Sequence, residues 1–231
     1  MTPPTFTSHV DHAPRAEIVR RIAEEGIVPV IRAATPDLAL RAARAVMAGG
    51  ISVFEITMTV PDAPDVIRAL VRELGDRALV GAGTVLNAGA AHQCIDAGAV
   101  FVVSPGLDPD TVIEAHGRGV PVMPGALTPT EVIAAWNLGA DVVKIFPISA
   151  VGGAKYLRAL KGPLPDVKML PTGGITVANA AEFLAAGAVA LGIGGELVDT
   201  VALAEGRDAT ITERARELRA VVQTFRAAGR G

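Results

Sequence analysis

Short apolar runs alternate along the chain with longer segments of helix-forming residues. The runs are rich in β-branched side chains: Val53-Phe54-Glu55-Ile56-Thr57, Phe101-Val102-Val103, Pro121-Val122-Met123 and Val142-Val143-Lys144-Ile145-Phe146. Nearly continuous apolar character over so few residues reads as strand buried on both faces. Glycine punctuates the pattern. Gly50, Gly75, Gly98, Gly119, Gly139, Gly162 and Gly187 recur at intervals of roughly 20 to 25 residues, the scale of a repeated supersecondary unit. A helical segment precedes most of them, and a glycine just past a helix takes left-handed backbone without steric cost. Helix starts are marked as well. Thr35-Pro36-Asp37, Asp108-Pro109-Asp110 and Thr128-Pro129-Thr130-Glu131 each place a capping side chain before a proline. The repeating unit is strand, loop, helix, glycine, strand.

Eight strands are predicted, starting near Ile27, Val53, Ala78, Phe101, Pro121, Val142, Lys168 and Val189. Eight such units in one α/β chain predict a closed parallel TIM (β/α)8 barrel. It forms a single domain over residues 1–231, with residues 1–12 a loose tail. An extra helix precedes the first strand, Ala13 to Glu25, and another closes the chain, Asp208 to Ala228. The arginines of that last helix, Arg214, Arg216, Arg219 and Arg226, alternate with glutamates and read as a solvated face. A doubly wound open sheet is the alternative, but Ile27 to Ala34 lacks the glycine fingerprint of such folds.

Composition narrows the function classes. The chain has 231 residues, of which half are apolar, so it is not disordered. Its 21 basic and 24 acidic residues leave no electrostatic footprint for nucleic acid. One cysteine, Cys94, excludes an internal disulfide and a cysteine-rich metal cluster, and fits a reducing compartment. It reads as a small core hydrophobe. The first twelve residues lack the apolar core of a secretory signal. The charge-free stretch from Phe183 to Gly195 is too short for a membrane span. A soluble, cytoplasmic protein with no membrane partner is expected. No group of histidines and carboxylates has metal-ligand spacing, so neither metal nor cofactor is expected. His92 and His116 fall on helices away from strand ends and read as surface residues, and Trp136 as packing.

In barrels of this type the active site lies at the C-terminal ends of the strands. The polar residues there are Arg32 on the first strand, Glu55, Thr57 and Thr59 on the second, and Thr84 after Gly81-Ala82-Gly83 on the third. Lys144 stands mid-strand among apolar neighbours; the other three lysines, Lys155, Lys161 and Lys168, border a helix or open a strand. Burial disfavours the charged form of an amine. A neutral amine attacks ketones to give a Schiff base. Glu55 sits in another apolar strand and faces the interior together with Thr57 by the period of two. A carboxylate beside that amine can carry protons while the lysine does covalent work. The other reading is a purely structural ion pair. Pro171-Thr172-Gly173-Gly174 and Gly192-Ile193-Gly194-Gly195 end the last two strands, where barrels commonly hold phosphate on backbone amides.

The segments FEITMTVPDA, VGAGTVLN, VSPGL, VMPGALTPTE, VVKIFP and LPTGGI occur in one order and spacing. Through them the chain, from about Ile18 to Val198, resembles the bacterial 2-keto-3-deoxy-6-phosphogluconate (KDPG) and 4-hydroxy-2-oxoglutarate (KHG) aldolases. The resemblance implies a homotrimeric class I aldolase acting on a small keto-acid substrate. It implies Lys144 as the Schiff-base lysine, Glu55 as general acid and base, Thr84 and Thr172 as positioning hydroxyls, and Phe146 and Pro105 as pocket walls. Gly173, Gly174 and the backbone near Gly194 would hold phosphate. Two positions depart from the common pattern. Thr59 stands where many members carry an arginine for the pyruvate carboxylate, a charge Arg32 can supply. Gly195 stands where many carry serine on the phosphate side, which makes a shorter or unphosphorylated substrate more plausible. Two rivals share the architecture: a phosphosugar isomerase, epimerase or synthase, and a non-catalytic sugar-acid-binding protein.

Overall fold

The computed structural model describes residues 13–229; the tail expected over residues 1–12 lies outside them. Helix α1 (Ala13–Glu25) leads into β1 (Ile27–Ile31), and strands and helices then alternate. The strands are β2 (Val53–Thr57), β3 (Leu79–Gly83), β4 (Val102–Val103), β5 (Val122–Met123), β6 (Gly125–Ala126), β7 (Val143–Ile145), β8 (Met169–Pro171) and β9 (Leu191–Ile193). The helices between them are α2 (Pro36–Ala48), α3 (Ala63–Leu74), α4 (Ala88–Asp96), α5 (Pro109–Gly117), α6 (Pro129–Asn137), α7 (Gly153–Lys161) and α8 (Ala180–Ala185). A short α9 (Thr200–Ala204) and the long α10 (Asp208–Ala228) end the chain. Eight of these nine strands begin within two residues of an expected start, and β6 is additional.

The pairings are all parallel, in a curled sheet of order β5-β4-β3-β2-β1-β9 and a second of order β6-β7-β8. The expected eight-stranded ring is thus found as two sheets. Only Pro124 separates β5 from β6. Proline has no N–H to give a ladder, while its carbonyl accepts the Lys144 amide at 2.9 Å. Isolated parallel bridges, Met169 with Ala188 and Thr172 with Gly192, link the β8 strand to the β9 side.

Local signals explain these elements. Thr35, Asn87 and Asp108 side chains accept the amides of Leu38, Ala90 and Thr111, and Thr128 with Glu131 closes a full capping box. Each such cap contributes roughly 1 kcal/mol. Six of the seven punctuating glycines have positive φ; Gly162, at φ −54°, does not and stays right-handed.

Period-two alternation sorts strand residues into two cores. One phase (Phe54, Ile56, Val80, Ala82, Val143, Ile145) packs against the helices. The other phase (Val28, Val53, Leu79, Phe101, Met123, Val142, Leu170) meets Val19 and Ile22 of α1, which closes the N-terminal end of the interior. Helix α10 buries Ile211, Ala215, Leu218 and Val222. Its arginines are only partly a solvated face, because Arg226 reaches back to the Ala23 and Glu24 carbonyls of α1. Cys94 is fully buried as expected.

Asp141, just before β7, joins three elements. It accepts from Arg15 of α1 at 3.0 Å, His116 of α5 at 3.1 Å and the Val122 amide of β5 at 2.9 Å. His116 is therefore a half-buried partner rather than a free surface residue. Burial pushes the Asp141 carboxyl up, but His116, the Val122 amide and Arg15 together hold it below the ordinary carboxylate range. A depressed folded-state value contributes stability above the unfolded pKa and loses it as pH falls. Asp141→Ala is expected to lower unfolding free energy by about 2–4 kcal/mol at neutral pH, by urea titration. The difference from the parent should shrink below about pH 4.

Candidate active site

Continuing each interior phase toward the strand C-termini brings the polar residues together. After Val53 come Glu55 and Thr57; after Val142 come Lys144 and Phe146; after Leu170 comes Thr172; after Val28 come Val30 and Arg32. The result is a Lys144 amine 3.9 Å from Glu55 Oε1, with side chains only 3% and 1% exposed. The amine also lies 5.3 Å from the centre of the Phe146 ring, a favourable cation–aromatic contact when the amine is charged.

Glu55 has space because its neighbours lack side chains. A methyl group on Gly83 would overlap the Glu55 carboxylate. Gly192 leaves room for Thr172 in the same way. Among the described residues, neither Glu55 oxygen has a hydrogen-bond partner. Buried polar atoms are nearly always satisfied, so such oxygens mark a place where a substrate group or water belongs. Burial pushes the Glu55 carboxyl up; the Lys144 and Arg32 charges pull it down, and burial prevails. A carboxyl raised toward neutrality can both take and return a proton.

Arg32, Phe146, Thr172, Gly173, Gly174, Gly194 and Gly195 line one cavity of about 140 Å³. Pro105 lines a neighbouring cavity with Gly106, Gly125 and Leu127, and Phe146 is the wall shared by both. Five expected residues line neither: the buried Lys144 and Glu55, and three threonines. Thr57 is buried with its hydroxyl donating to the Ile31 carbonyl at 3.2 Å, and Thr59, which is exposed, bonds Thr57 at 2.7 Å. Thr84 is half-buried at φ 56°, a strained position for a β-branched residue and one that often accompanies a site. Glu196 also lines the first cavity. Sequence reasoning missed it; its signal was a carboxylate directly after the last glycine pair. Among the described residues no group of histidine, cysteine and carboxylate side chains could hold a metal, and no helix is long and apolar enough to cross a membrane.

A buried amine paired with a buried carboxyl, at the C-terminal ends of curled parallel strands, defines an α/β protein equipped for amine chemistry on a carbonyl. The chain belongs to the KDPG and KHG aldolase family, whose model matches residues 18–214. It is 41% identical to the KHG/KDPG aldolase of Escherichia coli K12 over 192 residues, 83% of this chain and 89% of that one. It is 39% identical to the 2-dehydro-3-deoxy-phosphogluconate aldolase of Treponema pallidum, over 80% of this chain and 88% of the other. The crystal structure of KDPG aldolase from Legionella pneumophila, with pyruvate captured as a covalent carbinolamine intermediate, superposes with a TM-score of 0.80 at 32% identity. That match covers 87% of this chain and 97% of the Legionella chain.

Gly83→Ala tests the role of the empty space beside Glu55. Its backbone is not left-handed, so the added methyl acts by crowding alone. The expected result is a loss of at least tenfold in kcat/KM, with a melting temperature close to the parent's. Full activity in this variant would show that Glu55 does not need its observed position.

Proposed function

We propose that this protein is a class I aldolase that cleaves a 2-keto-3-deoxy sugar acid to pyruvate and an aldehyde, with Lys144 and Glu55 as its catalytic residues. The observation that carries the reading is the buried 3.9 Å pair with two unsatisfied carboxylate oxygens. A binding protein gains little from burying two charges, since desolvation can exceed their attraction. An isomerase needs no covalent amine. Family membership agrees with the same chemistry.

Lys144 Nζ attacks the C2 ketone, and loss of water leaves a protonated imine. The imine draws electrons from the C3–C4 bond while Glu55 takes the C4 hydroxyl proton. The bond breaks, the aldehyde leaves, and pyruvate enamine remains on Lys144. Glu55 returns the proton to C3, and water frees pyruvate and restores the amine. Arg32 is placed to bind the substrate carboxylate in two parallel hydrogen bonds, the geometry a guanidinium favours. Thr172, the strained Thr84 and the Phe146 and Pro105 walls position the chain of the substrate. The amides of Gly173, Gly174, Gly194 and Gly195 meet its far end. Thr57 and Thr59 support the carboxylate side. We read the two sheets as one (β/α)8 barrel, joined through Pro124 and the two bridges, forming a single domain. The resemblance also supports a cytoplasmic homotrimer. Exposed Leu86, Ile113 and Ile133, in three successive units, offer apolar surface for partner copies.

Borohydride reduction in the presence of pyruvate is expected to fix a pyruvyl group on Lys144, located by peptide mass spectrometry. An adduct on Lys155, Lys161 or Lys168 instead would refute the assignment.

The pH dependence follows from Glu55. Only its ionised form accepts the C4 proton, so kcat/KM should fall in acid, with a midpoint above the ordinary glutamate value of about 4.3. Glu55→Gln should remove that limb and lower kcat by roughly 10²- to 10⁴-fold.

A further inference from the structure

We propose that Glu196 is a specificity-determining residue that selects a substrate whose far end is an uncharged, hydroxyl-bearing carbon rather than a phosphate. This deepens the aldolase reading and rests on it. Glu196 shares the cavity with Gly173, Gly174, Gly194 and Gly195, the backbone that would meet the end of the substrate remote from Lys144.

The chemistry of that end can be read from its donors and acceptors. Among the described residues, the amides of Gly173, Gly174, Gly195 and Glu196 make no hydrogen bond, and the Glu196 carboxylate makes neither hydrogen bond nor ion pair. A phosphate can use only donors, because its oxygens accept and carry negative charge. It would leave Glu196 unused and repelled. A hydroxyl uses both kinds of group: it accepts from an amide and donates to a carboxylate. An exposed carboxylate lining the same cavity as a set of donors therefore fits a polyol end and opposes a dianion, a repulsive element of the kind that sets specificity.

The surroundings supply little to offset that charge. The loop after β9 carries a second carboxylate, Asp199, which accepts the Val201 and Ala202 amides at 3.0 Å each and so occupies the start of α9. Its charge is met by Arg214 at 3.3 Å, outside the cavity lining. Leu197 and Val198 amides turn back to the Gly194 carbonyl at 2.9 Å and are unavailable to a ligand. Arg32 is the one cation among the lining residues. Its charge also acts on Glu55, which ties it to the amine end and to the carboxylate every 2-keto acid carries.

The test compares a six-carbon 2-keto-3-deoxy acid bearing a free 6-hydroxyl with its 6-phosphate, by pyruvate release. Parent, Glu196→Gln and Glu196→Ser proteins are assayed together, with thermal melting to confirm that the variants fold. The parent should favour the free hydroxyl in kcat/KM by at least tenfold. Glu196→Gln, which keeps the shape but removes the charge, should move the ratio toward the phosphate by tenfold or more, and Glu196→Ser further. A parent that prefers the 6-phosphate, or a ratio unchanged across the three proteins, overturns the proposal. Pyruvate trapping on the parent separates the two levels. An adduct on Lys144 with an unchanged ratio refutes the role of Glu196 alone, whereas no adduct refutes the aldolase reading and this inference with it.

Discussion

The buried contact between Lys144 and Glu55 is the constraint around which the interior is built. At about 4 Å the attraction between two such charges is roughly 4 kcal/mol at an effective dielectric of 20. Removing each ion from water costs several kcal/mol. The pair therefore contributes little net stability, and replacing it with apolar groups of similar volume would leave the fold as stable or more so. The proposed chemistry gives a reason for its position. Burial raises the Glu55 carboxyl, the change that taking and returning a proton would draw on.

Close packing around the pair sets the identity of its neighbours, and glycines make the room. Gly83 admits the Glu55 carboxylate, Gly192 the Thr172 side chain, Gly125 the Pro105 carbonyl and Gly81 the Phe101 ring. That ring belongs to the apolar plug beneath the site, where α1 covers the N-terminal end through Val19 and Ile22. The two ends of the same strands thus divide the work: apolar packing at one end, and unsatisfied or strained groups at the other.

Much of this was legible in the sequence because each signal was local. Thr128-Pro129-Thr130-Glu131 specifies a capping box through neighbouring atoms, and Lys144 stands out as a lone charge in an apolar strand. Period two then placed Glu55 and Thr57 on the interior face, without knowledge of the distance to Lys144. Properties that depend on distant segments were hidden. Nothing near Asp141 in the chain announces Arg15 or His116 as its partners. The split of the fifth strand at Pro124 depends on a ladder partner twenty residues away, and Arg226 looked solvated until α1 lay against it. Glu196 was overlooked because a single charge after a glycine pair usually belongs to a solvated turn, and only the closure of the first and last strands on each other puts it in a cavity with Arg32.

Strain follows the same division of labour. Thr84 holds φ 56° directly after Gly83, a conformation costing on the order of 1–3 kcal/mol for a side chain of its kind. That cost lies at the same end as the unsatisfied Glu55 oxygens and the cavity glycines. The compensating terms are the caps on α2, α4, α5 and α6, the Asp141 cluster and the apolar interior under α1. A scaffold with these reserves can keep a costly pair dry at one end, while Gly195 and Glu196 after β9 are exposed, just before the buried Leu197 and Val198. On the proposed reading, substitutions at those two exposed positions alter what the far end of the cavity accepts without disturbing the amine or its carboxyl partner. With Lys144 as the proposed reacting amine, family membership constrains the chemistry at that end more tightly than it constrains the substrate's remote end, because the two depend on different parts of the structure.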